Sequence, residues 1–302
     1  MHRRRLLTGV GAAGLAACVR VPAEARSTLR ENPDEAAAVR FDALDLSDLE
    51  AAYAGRMGFI IHALNRGWGL AWRAEERFSY CSTFKLFLAA ATLERVQNGQ
   101  ESLTREVGVQ ASDLVSHAPV TQPAVGSSLS IGRLCQAAVE VSDNLAANIL
   151  IREIGGLNAM RIWYRSIGDD DTRVDRWELE LNVPGGDKDT VRPQQAARNL
   201  NAVLMAGDEA VLDTDNRRRL ATWLVNSPTG AGRIKAGVPA TWTVAHKTGT
   251  AAGAVNDIGV LWTPDDEPFV VAAYFDGEAG SAVAAGEAVI AEATRRAVEV
   301  FS

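Results

Sequence analysis

The tightest constraint on the fold is a change of period along the chain. From Ser82 to about Asn226 the apolar residues recur at helical spacing, whereas the flanking segments alternate as strands do. The run 83–97 places Leu86, Phe87, Ala89, Ala90, Leu93 and Val96 three and four residues apart, and Gly99 follows as a stop signal. Helical spacing returns over 131–141, 144–153, 157–167, 193–205 and 214–225, with Gly155-Gly156 closing the second of these. Before this block, Ser47-Asp48-Leu49-Glu50 has the form of a capping box that opens a helix to about Ala54. Segments 56–64 and 69–73 then read as a strand pair around Asn65-Arg66-Gly67. Beyond the block, 242–247, 257–262 and 269–275 are strand-like, and a last helix spans 283–301.

The simplest architecture is an α/β (α+β) protein in which both ends of the chain share one antiparallel sheet flanked by helices. The expected division is an α/β domain of residues 35–75 and 222–302, with an inserted all-helical domain, 76–221. The polar loop 168–190 is long for a compact domain, and loops of that length usually carry function. A cleft between the two parts suits a small molecule.

Charge narrows the function. A net charge of −7 and a pI near 5.3 offer no basic face for phosphate contacts, so nucleic acid is not an expected partner. No run of eighteen apolar residues is present to span a membrane. Met1-His2-Arg3-Arg4-Arg5 with the short apolar stretch 6–18 reads as a signal peptide of residues 1–25, and Arg3-Arg4-Arg5-Leu6-Leu7 resembles a twin-arginine export pattern. Two processing sites compete: Leu15-Ala16-Ala17-Cys18 resembles a lipobox, which would make Cys18 a lipid anchor, and Ala23-Glu24-Ala25 an ordinary cleavage site. The mature chain is expected to be exported, periplasmic and monomeric. It keeps Cys81 and Cys135, whose apolar surroundings favour free buried thiols. No His/Cys ligand cluster or cofactor motif is present.

The chemistry starts at Ser82 and Lys85. Three residues apart at a helix start, they share one face. A chain of this composition contains one such tetrad by chance roughly one time in five, and a serine there is also an ordinary N-cap. Ser142-Asp143-Asn144 lies between two helices, where capping is the commoner role. Lys247-Thr248-Gly249-Thr250 ends a strand, combining a cation and two hydroxyls with a glycine that lets a ligand approach the strand edge. Within the long loop, 176–182 holds Glu178 and Glu180, with Asn182 four residues after the first.

Their order decides the matter. S-x-x-K, S-D-N, a loop glutamate and K-T-G follow one another at separations of about 60, 36 and 69 residues, an order that resembles the class A serine β-lactamases and their penicillin-binding relatives. The resemblance extends from about Leu44 to Phe301. It implies hydrolysis of the β-lactam amide of penicillins and cephalosporins through a serine acyl-enzyme, with Ser82 as nucleophile. Either Lys85 or Glu178, acting through a water, is the acylation base. Lys85 needs to be neutral for that role, and repulsion by Lys247 is expected to lower its pKa. Ser142 would deliver a proton to the leaving nitrogen, assisted by Lys247. The backbone N–H groups of Ser82 and Thr250 would hold the oxyanion.

By the same resemblance Thr248, Gly249, Thr250 and Arg233 bind the substrate carboxylate, Asn144 the drug's side-chain amide, and His117 stands at an aromatic gate. Glu178 and Asn182 would hold the deacylating water. Asn148 would tether the loop, and Arg176 would clamp it to Asp189, although 182–189 is about two residues shorter than in many relatives. A frequent family disulfide would join Cys135 to a residue that is Ala89 here. A second bridge, frequent in members that hydrolyse carbapenems, would join Cys81 to a residue that is Ala251, which lowers the expectation of efficient carbapenem hydrolysis. Two alternatives share the serine-lysine core: a D-Ala-D-Ala peptidase of the penicillin-binding type, which lacks the loop glutamate, and a non-enzymatic β-lactam sensor, which needs a membrane span or effector domain.

Overall fold

The computed structural model describes residues 39–278 and 283–302. The signal peptide, the twin-arginine pattern and Cys18 lie outside them. In chain order the elements are β1 (Arg40–Ala43), α1 (Ser47–Tyr53), β2 (Gly55–Ala63), β3 (Trp68–Trp72), β4 (Phe78–Ser79), α2 (Phe84–Gln97), β5 (Glu106–Gly108), β6 (Ser128–Ser130), α3 (Ile131–Glu140), α4 (Asn144–Ile154) and α5 (Leu157–Ser166). After the long loop come β7 (Thr190–Val191), α6 (Pro193–Leu200), α7 (Thr214–Val225), β8 (Thr243–Thr250), β9 (Ala254–Trp262), β10 (Pro268–Gly277) and α8 (Val283–Phe301).

Six strands form the central sheet in the order β1-β3-β2-β10-β9-β8, so the two ends of the chain meet along β2 and β10. Pairing is antiparallel except at the edge, where β1 runs parallel to β3. The sequence pattern does not reveal β1, because four residues containing Arg40 and Asp42 show no usable alternation. Two further pairs, β4 with β7 and β5 with β6, are likewise too short to signal themselves.

Both faces of the sheet are covered, which explains the near-continuous apolar run of β10. Phe59, Ile61, Val271, Ala273 and Phe275 pack on the side of α1 and α8, with Val289, Ile290 and Ala293. Ile60, Val270, Ala272 and Tyr274 face the helical block. Inside that block α2 is apolar all round and buried from Phe84 to Leu93, as befits a central helix. At about 25 cal/mol per Å2 each such buried leucine or phenylalanine contributes on the order of 2 kcal/mol, so the helix that follows Ser82 is fixed by packing rather than by its caps.

The helix at Ser47 forms without its expected capping box. Leu46 occupies the N-cap, and Glu50 accepts from the backbone N–H of Met57 and from Arg73 instead. No helix among the described residues is long and apolar enough to cross a membrane. Cys81 and Cys135 are both free and buried.

Candidate active site

Ser82 lies in a 3-10 turn, Cys81–Thr83, that runs straight into α2. It caps nothing: its Oγ donates to Glu178 Oε1 at 3.4 Å. Lys85, one turn on, points the same way and is fully buried. Its Nζ reaches Glu178 Oε1 at 2.9 Å, donates to the Ser142 carbonyl at 2.9 Å and Ser142 Oγ at 3.4 Å, and meets Asn144 Oδ1. Lys247, on the edge strand β8, donates to Ser142 Oγ at 3.1 Å and to its neighbour's carbonyl, Thr248 O, at 2.8 Å. Residues from α2, the α3–α4 turn, the long loop and β8 thus meet in one hydrogen-bonded cluster.

Each element is held for a local reason. Asp143 is the N-cap of α4, accepting from Ala146 N, and its carboxylate also takes Val120 N, Thr121 N and Thr121 Oγ1. The capping role foreseen for the S-D-N turn is therefore real, and it belongs to the aspartate; the serine and asparagine beside it are left for the cluster. Gly249 serves a purpose that the sequence does not show. A Cβ there would lie 2.7 Å from Tyr80 O and 3.2 Å from Ser82 N, so the missing side chain lets β8 close on the nucleophile's own turn. Of the non-glycine residues with positive φ, Cys81 (48°), His117 (58°), Ser142 (58°) and Asp189 (54°) all surround this cluster. Such backbone costs about 1–3 kcal/mol per residue and survives where the surroundings over-determine it. Sequence reasoning has no signal for it.

Glu178 sits on the loop, 4 % exposed, and its backbone is pinned from both sides by one side chain. Asn148 Nδ2 donates to Glu178 O at 2.8 Å, and Glu178 N donates to Asn148 Oδ1 at 3.0 Å. Asn182 Nδ2 donates to the second carboxylate oxygen at 2.7 Å. Arg176 and Asp189 do pair, Nε to Oδ2, despite the short stretch between them. Asp189 also accepts from the N–H groups of Asp175 and Arg176 and from Tyr80 Oη.

Both lysines of the cluster are held below the usual lysine range. Burial lowers the Lys85 pKa, while Glu178 at contact distance pulls it back up. Lys247 is pushed well below the usual lysine range, by burial first and by the Lys85 charge second. Only Lys85 touches a carboxylate, whereas Lys247 has a hydroxyl and a carbonyl.

The remaining predicted residues divide. Arg233, 4 % exposed, donates to Gly249 O, Asn256 O and Thr250 Oγ1 and pairs with Glu287 of α8 at 3.1 Å. Thr248 and Thr250 share the Arg233 side of β8, and Thr229, missed in the sequence, lies 2.9 Å from Thr248 Oγ1. Asn144 is mostly engaged already: Oδ1 meets Lys85 and Nδ2 donates to Ser116 O, leaving one amide hydrogen. His117 stands at the rim, exposed, its Nε2 2.9 Å from Val141 O and outside the hydrogen-bonded cluster. Among the described residues no group of three or more His, Cys, Asp or Glu is placed to hold a metal ion.

A family model described as the β-lactamase enzyme family matches residues 43–301. The chain belongs to that family. β-Lactamase SME-1 of Serratia marcescens is 38% identical over 266 residues, 86% of this chain and 88% of its own length. An imipenem-hydrolyzing β-lactamase of Enterobacter cloacae is 38% identical over 262 residues, 84% of this chain and 88% of its own. The structure of an ancestral (GNCA) class A β-lactamase superposes with a TM-score of 0.81 at 44% identity, covering 85% of this chain and 98% of that one. This β-lactamase is accordingly of class A, the class whose chemistry runs through a serine.

Proposed function

We propose that Ser82 attacks the β-lactam carbonyl and that Glu178 releases the resulting acyl group. The observation that carries this is the Glu178 carboxylate, one oxygen 3.4 Å from Ser82 Oγ and the other held by Asn182 at 2.7 Å. A hydroxyl is a weak nucleophile and needs a base within reach. Glu178, acting through a water held beside both groups, meets that requirement, and so does Lys85 in its neutral form. Opening the ring breaks the C–N bond; the nitrogen takes the proton of Ser142 Oγ, and Ser142 recovers through Lys85 the proton that the base removed from Ser82, with Lys247 also donating to its oxygen. The backbone N–H groups of Ser82 and Thr250 would bind the oxyanion, each donor worth about 3–4 kcal/mol in the transition state. Lys247, Thr248, Thr250 and Arg233 would take the substrate carboxylate, Gly249 keeping the strand close. Asn144 would offer its spare amide hydrogen to the acyl side chain, and His117 would border the entrance.

In deacylation Glu178 takes a proton from the water that attacks the ester and passes it to Ser82 Oγ as the ester C–O bond breaks, which regenerates both groups. Asn182 orients that water. This second half separates a hydrolase from a D-Ala-D-Ala peptidase or a β-lactam sensor, and the buried Glu178, paired with a half-buried Asn182, favours the hydrolase. Penicillins and cephalosporins are the proposed substrates. The free Cys81 thiol, with no bridge across the site, argues against efficient carbapenem turnover, although two relatives are named for hydrolysis of imipenem or carbapenems. Steady-state hydrolysis of a chromogenic cephalosporin is the expected result, and one-to-one acylation that then stops would overturn the reading. The same assay with a penicillin and a carbapenem ranks the drug classes.

The proposal includes an α/β domain of residues 35–75 and 222–302 around the helical insertion 76–221, and a monomeric enzyme exported to the periplasm. The mass of the mature N-terminus decides between a lipid-bearing Cys18 and cleavage after Ala25.

A further inference from the structure

Successive residues of β8 face opposite ways. Lys247 faces the helical block, whereas His246, Thr248 and Thr250 share the other face, on the side of Arg233 and α8. His246 is fully buried there, and so is Asp257 on the neighbouring strand β9. Nδ1 of His246 is 2.9 Å from each Asp257 oxygen, and Oδ2 accepts in addition from Ile234 N at 3.2 Å. A carboxylate offers only acceptors, so Nδ1 carries the shared hydrogen, and Nε2 is left without a partner. Two glycines make the room. A Cβ on Gly259, opposite His246, would lie 2.2 Å from Ala245 O, and one on Gly230 would lie 2.4 Å from Thr248 Cγ2 and 3.1 Å from His246 Cε1.

Ile234 directly follows Arg233. The Asp257 carboxylate therefore binds three pieces of chain at one point: β8, β9 and the turn that carries the guanidinium. We propose that the His246–Asp257 pair is a positioning device for the anion-binding edge, fixing Thr248 and Thr250 relative to Arg233. The inference rests on the reading that this edge binds the substrate carboxylate. Neither residue touches substrate. Without the imidazole donor the buried carboxylate keeps only one weak backbone partner, and a buried charge left short of donors pulls its surroundings apart or takes up a proton. The Asp257 charge is also among those that oppose the lowering of the Lys247 pKa by burial and by Lys85.

His246→Leu keeps most of the volume and removes the donor, while His246→Asn keeps a donor near the place of Nδ1. Each variant, with Arg233→Ala as a control, is assayed on a chromogenic cephalosporin and on its methyl ester, which lacks the anionic carboxylate. Expected for His246→Leu is an approximately tenfold rise in KM for the acid, about one charge-assisted hydrogen bond, with kcat nearly unchanged and the ester unaffected. His246→Asn should match the parent on both. Equal losses on acid and ester, no loss on the acid, or no rescue by asparagine would overturn the proposal, provided Arg233→Ala loses more on the acid than on the ester. An Arg233→Ala variant that loses as much on the ester as on the acid overturns the reading of the edge itself. Should His246→Leu fail to fold, Asp257→Leu removes the acceptor side of the same staple and is judged by the same acid-to-ester comparison.

Discussion

Two halves of the active site hold their reactive groups by different means. Ser82, Lys85, Ser142 and Lys247 are set on a central helix, a turn between buried helices and a sheet strand, and both lysines are fully buried. Glu178 belongs to a long loop whose nearest regular piece is a single 3-10 turn, Glu180–Asn182, and is held by side chains that bond to backbone: Asn148 at its own peptide groups, and Asp189 at the N–H groups of Asp175 and Arg176. Packing protects the first half, so a single polar deletion there changes chemistry more than shape. In the second half a single polar deletion releases the whole segment, and the base goes with it.

The largest effects separate the halves directly. Ser82→Ala should lose about 10^4-fold or more in kcat and form no adduct, because no nucleophile remains. Glu178→Ala should lose about 10^3-fold in turnover while still acylating, so mass spectrometry of the stopped reaction shows the protein plus one drug. Full turnover in the Glu178 variant would break the division of labour and return deacylation to Lys85.

How much of this could be read in advance follows the same division. The packed half is largely legible, since apolar period places 283–301 residue for residue and puts Ser82 and Lys85 on one face. The loop shows itself by its length, but Glu178 within it is singled out only by resemblance, because a solvated carboxylate and a catalytic one look alike in sequence. Tertiary pairings are the least visible. His246 reads as a plain residue in a strand until Asp257, eleven residues on, is placed against it by the antiparallel register. Glu50 completes a capping box in sequence, and a better donor in space, Met57 N, takes its carboxylate away.

A middle-sized effect tests the loop's attachment. Asp189 is fully buried and takes four donors, Arg176 Nε, two backbone N–H groups and Tyr80 Oη. Asp189→Asn turns an amide NH2 toward some of these and leaves the arginine unpaired, a loss of about 3 kcal/mol on the scale of broken buried pairs. The expected signs are a lower Tm and a pre-steady-state burst, acylation continuing while deacylation lags. If acylation slowed in proportion, the two halves would not be separately supported.

A smaller effect concerns Lys247. Its role at the substrate carboxylate needs the cationic form, and its pKa in the fold lies well below the ordinary 10.5. Activity should therefore fall as pH rises through that lowered value, an alkaline limb of kcat/KM that begins before ordinary lysines titrate. A guanidinium stays charged throughout, so Lys247→Arg should move the limb to higher pH at some cost in the plateau. A limb unmoved by this change would assign it to another group.

The smallest expected effect is at Cys81, beside the nucleophile in the packed half. Its thiol is pushed up to about 12, by burial first and by the Glu178 and Asp276 charges after it, so almost no thiolate exists near neutrality. Strand β8 closes over it, with Gly249 so near that an added Cβ would meet Cys81 Cβ at 3.1 Å. A disulfide reagent should consequently react with neither Cys81 nor Cys135 in the native enzyme, and with both once it is denatured. Cys81→Ala removes one sulfur from a tight site, worth about 1 kcal/mol, and should leave kcat within about threefold. Rapid labelling of native Cys81 would mean that β8 lifts away from the Ser82 turn, and the packed half would then be the mobile one.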